Sequence, residues 1–142
     1  MTANKISGYT IFCDDLRQEI SNKLTLVGCY YGHLNVAGDP PINIPKLCII
    51  IHLVEPLNER YIDSRKELTV KVLASWLPRE QSIAEIKLPK DRGSEVSFED
   101  HVPENDRVSL VLLPVIISPF LIPSSGIISV RAFSGDEVIK LG

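Results

Sequence analysis

Eight residues between two prolines constrain this chain more than any other stretch: Leu47 to Val54, LCIIIHLV, with Pro45 before them and Pro56 after. All but His52 are apolar, so both faces of an extended segment are hydrophobic, as in a strand with core on both sides rather than one half in water. A helix is the rival reading. Eight residues is short for a helix, and the run Ile49-Ile50-Ile51 would lose side-chain freedom in a helical turn. The segment is read as the central strand of a sheet.

The flanking sequence supplies strands to pack on it. Tyr9 to Cys13 reads as a first short strand, Asp14 to Asn22 as a polar connection, and Lys23 to Tyr31 as a second strand. Gly28 inside that strand marks a bulge or the close approach of another backbone. Gly32 to Pro45 is a loop, with Leu34 to Val36 as a short edge pairing, and Glu55 to Lys66 is charged and turn-like. Glu67 to Trp76 alternates cleanly, with Leu68, Val70, Val72, Ala74 and Trp76 on one face, and predicts a half-buried strand paired to Ser82–Leu88 across a short turn. Pro89 to Asp106 is the longest polar stretch, with room for one helical turn. Arg107 to Ile117 is apolar on both faces, and Pro114 within it suits an edge strand or a bulge. After the Pro-containing turn Ser118–Ser125, Ile127–Phe133 and Val138–Leu141 form a closing hairpin in which Gly135 suits the first central position of a type II′ turn.

About eight short strands with no helix and no internal repeat predict an all-β chain: one domain over residues 1–142, a two-layer antiparallel β-sandwich, immunoglobulin-like or C2-like. A closed barrel is the alternative.

Composition narrows the function classes. Fifteen Lys and Arg against eighteen Asp and Glu give a net charge of −3, with the basic residues scattered, so nucleic acid is not an expected partner. No apolar run approaches the roughly 18 residues needed to cross a bilayer, and the N-terminal segment lacks a signal-peptide pattern; the expectation is a cytoplasmic protein without a membrane partner. Three cysteines, Cys13, Cys29 and Cys48, each in an apolar strand-like context, fit free thiols in a reducing compartment.

If consecutive strands run antiparallel, the loops sort onto two ends. One end collects Asp14–Asn22, Glu55–Lys66, Pro89–Asp106 and the Gly135-Asp136 turn; the other collects Gly32–Pro45, Leu77–Gln81 and Ser118–Gly126. The first end holds most of the acidic residues and Arg17, Arg60, Arg65 and Arg92. Loops on a rigid scaffold carry binding residues, so the candidate interaction surface is Asp14, Asp15, Arg17, Glu19, Arg60 and Arg92.

Site chemistry is otherwise sparse. Asp14 and Asp15, with Glu99, Asp100 or Asp106, are the residues that would have to supply a calcium site, which needs six to eight oxygens; adjacent strand residues point to opposite faces, so turn formation and an ion pair with Arg17 is the plainer role. Cys29-x₃-His33 and Cys48-x₃-His52 have zinc ligand types, but residues four apart on a strand lie roughly 13 Å from each other, whereas zinc ligands sit within about 2.3 Å of the ion. Only pairing of Cys29 with Cys48 across strands would assemble such a site. There is no nucleophile elbow, triad or phosphate loop. No cofactor, metal or enzymatic activity is expected. Trp76, Tyr30, Tyr31 and Tyr61 are interface anchors or core.

The segment Ile11-Phe12-Cys13-Asp14-Asp15-Leu16-Arg17-Gln18-Glu19, followed by Lys23, Leu24, Leu26, Gly28 and Tyr30, resembles the opening of a family of small bacterial and prophage-associated proteins classed as a domain of unknown function. The resemblance continues through Leu47-Cys48-Ile49, Ser118-Pro119-Phe120, Gly126 and Val130-Arg131-Ala132. It implies a compact β-rich domain in a bacterial or prophage setting and names no site, ligand or activity. The functional expectation is a non-enzymatic module that binds a protein partner, or a second copy of itself, through charged loops or an exposed strand edge. A Ca²⁺-dependent surface or lipid-binding module is the alternative.

Overall fold

The computed structural model describes residues 5–92 and 101–142. They form an all-β structure of antiparallel sheets. One four-stranded sheet has the order β2-β1-β4-β7, a second has the order β10-β9-β5-β6, and a two-stranded ribbon pairs β3 with β8. The strands are β1 Ser7–Gln18, β2 Leu24–Cys29, β3 Ile42–Ile44, β4 Leu47–Pro56, β5 Leu68–Ala74, β6 Ala84–Leu88, β7 Val108–Ile117, β8 Phe120–Ile122, β9 Ile128–Ser134 and β10 Glu137–Lys140. Both large sheets are open, not closed into a barrel: β2 and β7 are the edges of one, β10 and β6 the edges of the other.

The apolar segment between the prolines is the most buried strand, flanked by β1 and β7 along its length. Its odd residues Leu47, Ile49, Ile51 and Leu53 join Leu68, Val70 and Val72 of β5 and Val130 and Ala132 of β9 in one cluster. Its even residues Cys48 and Ile50 join Cys13, with Leu16 and Leu26 packed beside them, in a second. Two-sided hydrophobicity in the sequence thus corresponds to apolar packing on both faces.

β5 alternates as its sequence demands, with Leu68, Val70, Val72 and Ala74 buried and Thr69, Lys71 and Leu73 between them half-buried. It pairs with β6 in the expected hairpin. β9 and β10 form the closing hairpin. Gly135 has φ 59°, and Asp136 is not among the positive-φ residues, as a type II′ turn requires.

Several local expectations are corrected. β1 is twelve residues long, so Asp14, Asp15 and Arg17 lie within a strand rather than in a connection. The pairing in the Gly32–Pro45 loop is made by Ile42–Ile44, not by Leu34–Val36, and its partner β8 lies in the segment read as a turn. Glu59–Ser64 forms a short helix, α1, where only a turn was expected; Asn58 caps it by accepting a hydrogen bond from the Tyr61 N–H at 2.9 Å. Part of the Pro89–Asp106 stretch lies outside the described residues; its end, Glu104–Asp106, is one 3₁₀ turn.

The sorting of loops onto two ends also changes. β1 lies between β2 and β4, antiparallel to both, so β2 and β4 run in the same direction although they follow one another in the chain. Alternation fails at that step. Glu55, Lys66, Pro89 and Gly135 gather at the C-terminal end of β4, as expected: Arg92 reaches both Glu55 and the Lys66 carbonyl, and Gly135 lies against Lys66. Asp14 and Asp15 instead lie beside Lys46 at the other end, near Ser118 and Pro45.

Candidate functional site

The six candidate residues divide into two clusters. Asp14 and Asp15 follow Cys13, which is opposite Cys48, whereas Arg92 pairs with Glu55. Cys48 and Glu55 are seven positions apart along β4, a rise of about 23 Å. No single patch therefore contains Asp14, Asp15, Arg17 and Glu19 together with Arg60 and Arg92.

In the first cluster, the carboxylates of Asp14 and Asp15 diverge. Asp14 lies over Gly28, where a side chain would collide with it, and accepts a hydrogen bond from the Tyr30 hydroxyl. Burial and then that carboxylate push the Tyr30 phenol up to about 12. Asp15 accepts from Lys46 Nζ at 2.9 Å and from the Leu16 N–H at 2.9 Å, with Arg17 Nε at 3.7 Å. The Lys46 hydrogen bond, followed by that N–H, holds Asp15 below its ordinary value, and Asp15 in turn raises Lys46. The ion pair with Arg17 expected from the sequence is present, but Lys46 is the closer partner. Arg17 and Glu19 are exposed. Glu99 and Asp100 lie outside the described residues, and Asp106 is exposed in the 3₁₀ turn.

The second cluster is built on Glu55, which continues the inward parity of Ile49, Ile51 and Leu53 into the end of β4 and is 2% exposed. A carboxylate buried there requires a cation. Arg92, drawn from the far side of the β5–β6 hairpin, meets it with Nη2 at 2.5 Å and Nε at 2.9 Å, and donates from Nη1 to the carbonyls of Lys66 and Pro89 at 2.8 Å. The Tyr61 hydroxyl donates to the same carboxylate at 3.1 Å, and burial and Glu55 together push that phenol well up. Arg92 is thus a structural partner, not an exposed contact. Arg60 is exposed and lines, with Asn58, Tyr61 and Ser64, a shallow depression of about 230 Å³, below the 300–1,000 Å³ typical of ligand pockets. Glu55 and Lys46 were missed in the sequence, and Tyr30 and Tyr61, read there as interface anchors or core, are hydrogen-bond donors to carboxylates. For Glu55 the signal was there: a charge on the inward parity of the most apolar strand.

The cysteines stand in one register row, Cys29 opposite Cys13 and Cys13 opposite Cys48. Cys13 therefore separates the two thiols whose pairing a zinc site would need. Cys13 and Cys48 are fully buried, and burial pushes the first up to about 11 and raises the second. His52 stacks on Tyr9 with ring centroids 4.3 Å apart. Among the described residues no group of three or more His, Cys, Asp or Glu is placed to hold a metal ion, and no helix is long and apolar enough to cross a membrane.

What sequence patterning did not single out is a whole sheet face. On the side of the first sheet turned away from β5 and β9, β1 presents Ser7, Tyr9, Ile11 and Cys13; β4 presents Cys48, Ile50, His52, Val54 and Pro56; β7 presents Val108, Leu110, Leu112, Pro114 and Ile116. No Asp, Glu, Lys or Arg occurs at any of these positions. Leu110 is 59% exposed, Ile116 56% and Tyr9 52%. The corresponding face of the second sheet carries Lys71, Glu85, Lys87, Arg131 and Lys140, with Lys71 over the Phe133 ring. Comparison of the chain with protein-family models, with curated proteins and with solved structures returns no match.

Proposed function

We propose that this chain is a non-enzymatic protein-interaction module, a two-layer β-sandwich of the immunoglobulin-like or C2-like kind, that binds its partner through the uncharged part of the outer face of the first sheet, formed by β1 up to Cys13, β4 and β7. The observation that carries this reading is the contrast between the two outer faces: one is charged as a solvated face should be, the other is apolar across three strands. Charge depletion with exposed aliphatic and aromatic side chains is the compositional mark of an interface core. Scattered apolar residues would need no explanation, but a contiguous patch does.

The charged loops take second place, because Tyr30 donates to Asp14, Lys46 and the Leu16 N–H donate to Asp15, and Arg92 is consumed by Glu55. Affinity capture compares three baits: wild type, Leu110→Lys with Ile116→Lys, and Asp15→Lys with Arg17→Glu. Loss of specific retention in the first pair alone is expected. Loss in the second pair alone would move the surface to the charged end, and unchanged retention in both would remove the face and the Asp15–Arg17 cluster from consideration.

A further inference from the structure

We infer that the uncharged face of the first sheet is a self-association surface, on which two copies of this chain dock face to face about a two-fold axis. The inference rests on the reading of that face as an interaction surface and goes beyond it by naming the occupant.

Three observations favour a second copy. An isologous contact sets one patch against itself, so every charge on it meets the same set of charges. Most of this molecule's surface is poorly suited to that, with a net charge of −3 and a second sheet face rich in lysine and arginine. A face whose ionisable groups are the Tyr9–His52 stack and the fully buried thiols of Cys13 and Cys48 brings no Asp, Glu, Lys or Arg charges together. Second, the area is of the right order. Tyr9, Val108, Leu110, Leu112 and Ile116 are each 41–59% exposed, together on the order of 500 Å² of side-chain surface, at the upper end of the largest patch on a typical monomer. With the exposed Ser7 and Pro114 and the half-buried Ile11, His52 and Val54 of the same face, the area approaches the ~800 Å² per partner of a standard interface.

Third, the geometry selects the face over the edge. β7 pairs with β4 along its whole length, and among the described residues no strand pairs with its other edge, the usual route to strand addition. Pro114 stands in the middle of that edge strand, and a mid-strand proline is one of the devices that discourage such pairing. A lipid surface would call for a basic rim, whereas Arg17 is the one Lys or Arg in β1, β4 and β7. A small ligand would call for a concavity, and the depression at α1 is lined by Asn58, Arg60, Tyr61 and Ser64, none of them on this face.

Sedimentation of the wild-type chain from about 1 µM to about 200 µM, the span in which dissociation constants of modest interfaces fall, is expected to show conversion to twice the chain mass. Leu110→Lys and, separately, Ile116→Lys should raise the dissociation constant at least about 100-fold. Val138→Lys, on the other sheet, should leave it within about twofold, since its side chain is exposed far from the contact. Carbene footprinting of the wild type alone, at both ends of that range, should show protection of Leu110 and Ile116 that grows with concentration, independently of any variant's folding. A single-chain mass throughout would overturn the dimer while leaving the interaction face open to a different protein. Full dimerisation of Leu110→Lys, or footprint protection elsewhere, would overturn the assignment of the surface.

Discussion

Glu55 and Arg92 show how a single residue pair organises one end of the fold. The carboxylate is 2% exposed, lies on the inward face of the most apolar strand, and is satisfied by Arg92 and Tyr61. Removing one partner leaves a buried, uncompensated charge, so Arg92→Met should destabilise by about 3–5 kcal/mol in urea unfolding. Glu55→Leu with Arg92→Met should recover most of that loss, since an apolar pair of similar volume replaces a desolvated ion pair at little net cost. A double variant as unstable as the single one would mean that the bonds from Arg92 to the Lys66 and Pro89 carbonyls dominate instead. Cys13, at about 11, and Tyr30, at about 12, are both raised first by burial. A group whose folded pKa exceeds its unfolded value keeps a proton in the fold that the unfolded chain has lost. Its stabilisation is therefore complete below the unfolded pKa and vanishes as pH climbs through the folded one. Unfolding midpoints should fall from about pH 9 to pH 12, starting with the thiol and continuing with the phenol. Tyr30→Phe should flatten the decline between about pH 10 and 12, and an unchanged slope there would assign the loss to Tyr61 and Lys46, which are raised as well.

At the scale of elements, β4 and β7 pair along ten residues yet differ in what their outward residues do. Ile50 on the outer face is only 1% exposed because it packs with Cys13 and Cys48 under Leu16 and Leu26, whereas Leu110 two pairs away is open. Ile50→Ala should cost about 2–5 kcal/mol by deleting buried methylenes, while Leu110→Ala should change the stability of the isolated chain by less than about 0.5 kcal/mol; chemical denaturation at low protein concentration measures both. The strands with the strongest patterning were legible in the sequence: β4 from two-sided hydrophobicity, β5 and β6 from alternation, and β9–β10 from the Gly135 turn. α1 was not, because six residues offer too little helical period, although Asn58 ahead of Glu59 is a readable cap. β3 and β8 are three residues each, and their partnership joins segments nearly eighty positions apart, which no local pattern encodes.

The whole-molecule arrangement was the least legible, and one sheet order accounts for much of that. Placing β1 between β2 and β4 moves Asp14 and Asp15 away from Glu55 and Arg92, so a site assembled by simple alternation separates into two clusters. The same order sets β1, β4 and β7 side by side and merges three outward sets of neutral residues into one face. Each set looks unremarkable alone, since β1 carries its charges beyond Cys13 and β4 carries only Glu55, turned inward. Self-association through that face couples assembly to stability: a species that binds only the folded chain shifts unfolding by mass action. For a dimer of this size unfolding to two chains, each tenfold increase in concentration should raise the melting temperature by about 2 °C. Leu110→Lys, which leaves the buried clusters intact, should abolish that dependence and match the wild type at the most dilute point. A dependence that persisted in Leu110→Lys would place the coupling on another surface, and none in the wild type would limit the face to a partner other than this chain.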